Sequence, residues 1–177
     1  NSSWGKIDIT LNLVGKHNVY NALAAAANGL TLGFKIDAIK AGIESVGVVP
    51  GRLEKVDCGQ DFHVYIDFAH TQQALQIVLS TLRETTKGRI LLVFGCGGDR
   101  DRKKRPKMGH IAEKYSDLFW ITSDNPRSED PHNIIDEIQK GVRRKACSRV
   151  QADRRIAIEE AVLEAKNGDV VVIAGKG

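Results

Sequence analysis

The spacing of hydrophobic positions changes near residue 50. Before that point, apolar and polar side chains alternate strictly over residues 6–13, which predicts a half-buried strand. Apolar residues then recur at helical spacing in two segments separated by glycines, and Asp37 is a candidate N-cap for the second segment. The two predicted helices run from residue 18 to 29 or 33 and from residue 37 to 47.

From residue 51 onward, short apolar runs alternate with amphipathic segments. Strands are predicted at 64–68, 89–94, 118–122, near 150 and at 170–174, and helices after the N-cap Thr71 and at about 106–115, 131–141 and 153–167. Nearly continuous apolar strands separated by helices are typical of a parallel sheet that is covered on both faces. We therefore predict an α/β fold with a Rossmann-like, doubly wound and mostly parallel sheet in residues 51–177.

The composition narrows the class of protein. The chain has 177 residues, of which 42% are hydrophobic, 27% are charged and only 4 are proline, so a collagen-like, coiled-coil or disordered protein is not expected. No apolar run approaches the roughly 20 residues that a membrane span requires, so membrane insertion is not predicted. The three cysteines are odd in number and far apart, which favours reduced thiols over disulfides or a metal site.

Positive charge is concentrated in two segments, although the net charge is only +4. Six basic residues fall between residues 100 and 107, and six more between 143 and 155. Because no helix-turn-helix, zinc finger or aromatic RNA-binding motif accompanies them, no nucleic-acid partner is predicted and a small anionic ligand is favoured. A nucleic-acid-binding domain stays open as an alternative, with a steeply salt-dependent affinity as its signature.

Candidate ligand-binding residues follow the predicted strands. Open parallel sheets bind ligands beyond the carboxyl ends of their strands, so we expect these polar segments to converge. The glycine loop after residue 94 matches neither a dinucleotide fingerprint nor a P-loop, but its backbone N–H groups can bind an anion over which Arg100 or Arg102 closes. A tight turn with solvated charges is the alternative interpretation. The segments expected to converge are His70 and the loops 95–105, 123–130 and 175–177.

Single side chains in these segments also allow two interpretations. Arg127 offers a planar guanidinium suited to a carboxylate or phosphate, although the Asn-Pro sequence before it is also typical of a plain turn. Asp67 and His70 can contact a nucleotide, or they can cap a helix and hydrogen-bond a loop. We interpret Cys96 as a small buried residue, because no histidine is adjacent to activate it as a thiolate.

Five short motifs occur in order along the chain. They are GKHNVYNA at 15–22, GRLE at 51–54, DFAHT at 67–71, GCGGDRDR at 95–102 and AGKG at 174–177. Together they resemble the motifs of the Mur ligases, the ATP-dependent amide-forming enzymes that build the peptide of peptidoglycan precursors. The sequence DNPR at 124–127 is similar to the motif by which diaminopimelate-adding members select their amino acid, and lysine-adding members typically lack its arginine.

The resemblance implies two domain pieces, the end of a central ATP-binding domain in residues 1–50 and most of a C-terminal domain in 51–177. Because both ends look cut and the family's P-loop and carbamylated lysine are absent, we expect a fragment that is inactive by itself. In the family, ATP phosphorylates the D-glutamyl γ-carboxylate of UDP-N-acetylmuramoyl-L-alanyl-D-glutamate, and the amine of meso-diaminopimelate attacks the acyl phosphate. The implied ligands are therefore ATP, Mg²⁺ and these two substrates, and the implied location is the cytoplasm.

Motif positions also imply roles for single residues. Those expected to contact the nucleotide are Asn18, Asn21, Arg52, Asp67 and His70. Those expected to line the diaminopimelate site are Arg100, Asp124, Asn125, Pro126, Arg127 and Gly175. The chain departs from the family at Gln72 and Gln73, where Pro-Asp is usual, and at Phe68, where tyrosine is usual. Lys103 and Lys104 add positive charge for which the sequence offers no reason beyond solubility.

Three other functions remain open at this point. The first is a Mur ligase with a different amino-acid specificity, such as lysine, and the second is a folylpolyglutamate synthetase. The third, from another class, is a non-catalytic Rossmann-like module that binds a nucleotide or anion and regulates a partner. A full-length gene product with an upstream strand, a glycine-rich loop and a Lys-Thr pair favours a ligase over that module.

Overall fold

The computed structural model of the chain describes residues 6–13 and 15–175. The chain forms two compact units that divide between Val49 and Pro50. Each unit is described by itself. None of the helices in the described residues is both long and apolar enough to cross a membrane.

The first unit contains two helices, α1 (Lys16–Thr31) and α2 (Ile36–Glu44). The strand predicted over 6–13 is wrong: half-buried and exposed side chains alternate as expected, but in the described residues this segment joins no sheet. Instead, the Thr10 amide and the Asn12 side chain each donate to Glu44 at 2.9 Å. A strand needs a neighbouring extended segment to complete its ladder, whereas here the end of a helix supplies the acceptors.

Both helices begin earlier than the pattern predicts. Gly15 turns the chain with φ 103°, and its carbonyl accepts a hydrogen bond from the Asn18 amide at 2.9 Å, so α1 begins before Asn18. The prediction of Asp37 as an N-cap is wrong, because α2 already includes it in its first turn. A carboxylate there still stabilises the helix, because the amino end of a helix carries partial positive charge.

The second unit combines strands and helices in alternation. Its strands are β1 (Glu54–Val56), β2 (His63–Asp67), β3 (Ile90–Phe94), β4 (Leu118–Ile121), β5 (Ser148–Val150) and β6 (Val170–Ala174). Its helices are α3 (Gln72–Thr85), α4 (Lys104–Tyr115), α5 (Pro131–Gln139) and α6 (Arg154–Glu164), with a short 3₁₀ turn at Lys145–Cys147. The strands form one sheet in the order β1-β2-β6-β3-β4-β5. All neighbours are parallel except β1, which pairs antiparallel with β2.

Strand β3 lies at the centre of the core, and all of its side chains are buried. Leu92 and Phe94 face a cluster built mainly from α3, α4 and α5, whereas Leu91 and Val93 face a smaller cluster built around α6. A strand that buries both faces needs apolar residues at every position, which explains its unbroken hydrophobic run. The predicted doubly wound, mostly parallel α/β sheet is confirmed.

The differences from the predicted elements lie at edges and ends. Strand β1 was not predicted, because its three residues carry no local pattern and become a strand only by pairing with β2. Helix α4 begins at Lys104, two residues before the proline taken as its start, and α5 and α6 end two to three residues early. The Thr71 N-cap is confirmed: its hydroxyl accepts a hydrogen bond from the Ala74 amide at 3.2 Å.

Replacement of Leu92 by alanine tests the central position of β3. Leu92 is fully buried, so we expect Leu92→Ala to lower the free energy of unfolding by about 2–5 kcal/mol through lost transfer energy and a residual cavity. The matched control is Leu163→Ala on α6, where the side chain is 84% exposed and the change should stay within about 0.5 kcal/mol. Urea denaturation followed by circular dichroism measures both, and equal effects would contradict the assigned core.

Candidate functional site

The carboxyl ends of four strands meet at one edge of the sheet. The residues after β2, β3, β4 and β6 there surround an open cleft of about 720 Å³. Six residues predicted for the site line it: His70, Arg100, Asp124, Asn125, Arg127 and Gly175. Side chains for which no role was predicted line it as well, among them Gln72, Gln73, Lys104 and Lys107. The segments expected to converge therefore meet at one edge, because the carboxyl ends of parallel strands share it.

The loop after β3 lies directly against the loop after β4. The Gly98 amide donates to the Asn125 carbonyl at 2.9 Å, and a Cβ on Gly98 would overlap the Pro126 carbonyl oxygen. A Cβ on Gly97 would lie 2.9 Å from Nη1 of Arg127. Gly98 is therefore required for close approach of two backbones, whereas a Cβ on Gly97 would meet only the movable end of a side chain.

Arg127 is fixed by both its backbone and its side chain. Its φ is 51°, a left-handed conformation that costs a non-glycine residue on the order of 1–3 kcal/mol. Its Nη1 donates to the Gly98 carbonyl at 2.7 Å. Because a guanidinium has five N–H donors and this is its one hydrogen bond to the described residues, the remaining donors are available to an anion in the cleft.

A buried ion pair lies behind the two loops. Arg105 is fully buried and binds Glu129 through two hydrogen bonds of 2.7 and 2.8 Å, and it also donates to Glu137 at 2.9 Å. The hydrogen bonds from Arg105 lower the pKa of Glu129 to about 2. The same bonds raise the pKa of Arg105 above its ordinary value. The pair is therefore charged at any pH near neutrality and ties α4 to the loop after β4.

Glu129 in turn fixes the residue before Arg100. Its Oε1 accepts from the Asp99 amide at 2.6 Å, and Asp99 has a left-handed φ of 51°. The Asp99 carboxylate accepts from the Ser128 hydroxyl at 2.8 Å and from the Ser128 amide at 3.1 Å. Sequence reasoning did not identify Glu129 or Arg105; the only signal was the surplus of positive charge between residues 100 and 107.

Asp67, the last residue of β2, hydrogen-bonds the backbone before β1 and the backbone after β2. It is buried, and its two carboxylate oxygens accept from the amides of Leu53 and Ala69, each at 2.8 Å. Leu53 has a left-handed φ of 45°, so the carboxylate stabilises a backbone conformation that is otherwise unfavourable. These contacts match the loop-bonding alternative, and the assignment of Asp67 to a ribose hydroxyl stays a prediction.

Arg52, Phe68 and His70 form an exposed stack beside the cleft. The Arg52 guanidinium carbon lies 5.6 Å from the centre of the Phe68 ring, and the Phe68 and His70 rings meet edge to face at 4.9 Å. Lys104 donates to the His70 carbonyl at 2.7 Å, which gives this lysine a structural use that the sequence did not reveal. An exposed aromatic ring with a cation over it offers a surface for a purine or a sugar phosphate.

Asp124 and Gly175 approach each other across the cleft edge. Gly175 has φ 104°, and a Cβ placed on it would lie 2.7 Å from Oδ2 of Asp124. Pro126 belongs to the same loop as Asp124 but does not line the cleft. The residues after Gly175, which the sequence analysis also placed at this edge, lie outside the described residues.

Asn18 and Asn21 lie in the first unit, on successive turns of α1. Asn18 is buried, and the Asn21 side chain donates to its Oδ1 at 3.1 Å. This pair is described apart from the cleft of the second unit, and its nucleotide role stays a prediction.

The interpretation of Cys96 as a small buried residue agrees with the structure. Its side chain is buried, and its sulfur lies 3.6 Å from the Met108 sulfur. Burial raises the pKa of the thiol to about 12, so the reactive thiolate does not form near neutral pH.

Residues 51–177 match the family model described as "Mur ligase, glutamate ligase domain", which covers more than two thirds of the chain. The chain belongs to the Mur ligase family. It is 54% identical over 171 residues to a UDP-N-acetylmuramoyl-L-alanyl-D-glutamate–2,6-diaminopimelate ligase from Syntrophomonas wolfei, a match that covers 96% of this chain and 35% of that protein. The chain therefore spans about a third of the length of such relatives.

Solved structures agree with this family membership. A structure of a UDP-N-acetylmuramoyl-L-alanyl-D-glutamate–2,6-diaminopimelate ligase is 37% identical, with a TM-score of 0.71 over 99% of this chain and 36% of that one. The Mycobacterium tuberculosis folylpolyglutamate synthase, complexed with ADP and AMPPCP, is 26% identical, with a TM-score of 0.69 over 96% of this chain and 39% of its own. Within the residues that the structure describes, no group of three His, Cys, Asp or Glu side chains could hold a metal ion.

The Arg105–Glu129 pair predicts an acid-dependent stability. Because the pKa of Glu129 is lowered to about 2 in the folded state from an ordinary value of 4.5, its contribution is complete above about pH 4.5 and is lost as the pH falls towards 2. We expect Glu129→Gln to lower the melting temperature at pH 7, and we expect its difference from wild type to shrink by pH 3.

Glu159→Gln is the matched control for this prediction, since Glu159 pairs with Arg155 on the exposed face of α6. Exposed pairs of this kind contribute little, so its melting temperature should equal that of wild type at both pH values. A Glu129→Gln deficit of the same size at pH 3 and pH 7 would show that the ionised carboxylate is not the cause.

Proposed function

We propose that the full-length Mur ligase containing this chain joins meso-diaminopimelate to UDP-N-acetylmuramoyl-L-alanyl-D-glutamate in an ATP-dependent reaction of peptidoglycan precursor synthesis in the cytoplasm. The observation that carries the proposal is the grouping of Arg100, Asp124, Asn125 and Arg127 around one cleft. The 54% identity to a ligase named for this reaction supports it. In the proposed enzyme the described cleft receives the incoming amino acid.

The side chains of the cleft complement the charges of diaminopimelate. This amino acid differs from lysine by one additional carboxylate, and the available N–H donors of Arg127 form a fork suited to that group. Asp124 supplies a carboxylate for an ammonium group, and Asn125 supplies an amide that donates and accepts. Arg100, which is exposed in the loop after β3, offers a second positive charge.

Discrimination against lysine follows from the same geometry. With lysine in the cleft, Arg127 would face no carboxylate and would stay in contact with water, because the residue is exposed. Its charge-assisted bond is then gained with diaminopimelate alone. The enzyme selects its substrate through this difference between the two amino acids.

The nucleotide would contact other residues of the chain. Within the second unit we assign it to the exposed stack of Arg52, Phe68 and His70, whereas Asp67 would act mainly by holding the backbone next to Phe68. ATP, when bound, supplies the phosphoryl group that activates the carboxylate of the nucleotide-linked substrate. The chain's own contribution is to place the amine and neutralise charge, which is where much of the rate enhancement of such transfers arises.

The decisive test is Arg127→Ala in the full-length enzyme. We expect kcat/KM with meso-diaminopimelate to fall by about 10- to 100-fold, the equivalent of one charge-assisted interaction, while the slow reaction with lysine changes by less than about threefold. Steady-state kinetics with each amino acid, at saturating ATP and UDP-N-acetylmuramoyl-L-alanyl-D-glutamate, measure both values.

The control for this experiment is Arg155→Ala, which removes an exposed arginine of α6 that pairs only with Glu159 in the described residues. It should leave both reactions unchanged. Equal losses of Arg127→Ala with both amino acids would argue against a role in selection. A wild-type enzyme that prefers lysine, extends folate with glutamate or turns over no amino acid would overturn the proposed function itself.

A further inference from the structure

Arg154 is a half-buried arginine beside the cleft, and the sequence analysis assigned no role to it. It is the first residue of α6, and its Nη2 donates to the Ala174 carbonyl at 3.0 Å. Its Nη1 is also buried, and no hydrogen-bond acceptor for it lies among the described residues. Arg155, the next residue, is 87% exposed at its side chain and pairs with Glu159. The two adjacent arginines are therefore in opposite environments.

A positive charge at the position of Arg154 is energetically unfavourable. The amino end of a helix carries partial positive charge, which disfavours a cation there. Burial adds to this cost and lowers the pKa of the guanidinium, while the negative charge of Asp124 acts in the opposite direction. A natural sequence that keeps a costly buried charge in this way commonly does so at a functional site.

The neighbours of Arg154 are the parts of the cleft proposed to bind the amino acid. Ala174, whose carbonyl it binds, directly precedes Gly175, and Gly175 lies against Oδ2 of Asp124. Burial lowers the pKa of Arg154, and the negative charge of Asp124 opposes that shift. One guanidinium thus contacts the turn after β6 and neighbours the carboxylate after β4.

We propose that Arg154 is a positioning residue for the amino-acid site, which orients the Asp124 carboxylate and the 174–175 turn from behind so that Asp124 can accept a hydrogen bond from an ammonium group of the substrate. The inference rests on the proposed function and deepens it. A carboxylate accepts about four hydrogen bonds, so Asp124 can face Arg154 on one side and the ligand on the other. Arg154 itself touches no substrate and acts through its two neighbours.

The experiment is steady-state kinetics of Arg154→Met and Arg154→Lys in the full-length enzyme. For Arg154→Met we expect the KM for meso-diaminopimelate to rise about tenfold, whereas the KM values for ATP and for UDP-N-acetylmuramoyl-L-alanyl-D-glutamate stay within about twofold. Arg154→Lys keeps the charge but not the planar fork, so its KM should fall between those of wild type and Arg154→Met. Arg155→Met is the matched control and should leave all three KM values unchanged.

A double-mutant cycle with Asp124→Asn tests the route of the effect. If Arg154 acts through Asp124, adding Arg154→Met to Asp124→Asn should raise the KM for meso-diaminopimelate little further, instead of multiplying the two effects. Multiplicative effects would overturn the route, and equal increases of all three KM values, or none, would overturn the positioning role. If Arg154→Met does not fold, as thermal melting reports, the lysine variant and its own cycle decide by the same criteria.

The outcome also separates this inference from the function on which it rests. A wild-type enzyme without activity towards meso-diaminopimelate would refute the proposed function. A wild-type enzyme that is active with it, together with Arg154 variants of unchanged KM, would refute only the role of Arg154.

Discussion

The close approach of two backbones at the carboxyl edge of the sheet is the constraint on which the cleft depends. Gly98 lies so near the Pro126 carbonyl that no side chain fits between them. That contact brings the Gly98 carbonyl within hydrogen-bonding distance of Arg127. The pair of Arg105 and Glu129 stabilises both loops, because Glu129 also accepts from the Asp99 amide. Two residues with left-handed backbones, Asp99 and Arg127, are held in place by these contacts. The strain is therefore located where a rigid ligand site is needed.

Arg105, which is buried, and Arg154, which is half-buried, show how the same type of side chain can be used in different ways. Arg105 has two carboxylate partners, and such a pair chiefly enforces one arrangement of its loops, because desolvation cancels much of its Coulomb energy. Arg154 has one carbonyl partner and a buried Nη1 with no acceptor in the described residues. An incompletely paired cation is costly, and this one lies next to the cleft. The completeness of pairing thus separates a structural arginine from a candidate functional one.

Membership of the Mur ligase family and the details of the cleft carry different information. The family model identifies residues 51–177 as a glutamate ligase domain, whereas a likeness in fold extends as far as a folylpolyglutamate synthase. Because differently named enzymes share this sheet, what distinguishes them is expected in the loops at its carboxyl edge. The orientation of Arg127 in one of those loops is the feature on which the proposed selection of diaminopimelate rests.

The sequence by itself determined the alternation of strands and helices in residues 51–177, the sheet edge at which the candidate site residues meet, and six of the residues that line the cleft. Each of these follows from local patterns, since a strand buried on both faces must be apolar throughout, as β3 is. Only the tertiary structure decided that 6–13 is not a strand, that Asp67 bonds the Leu53 amide, that Arg105 is buried and that Nη1 of Arg154 is withdrawn from water. These outcomes depend on partners distant in sequence, and an arginine in a basic segment looks the same whether it faces water or a buried acceptor.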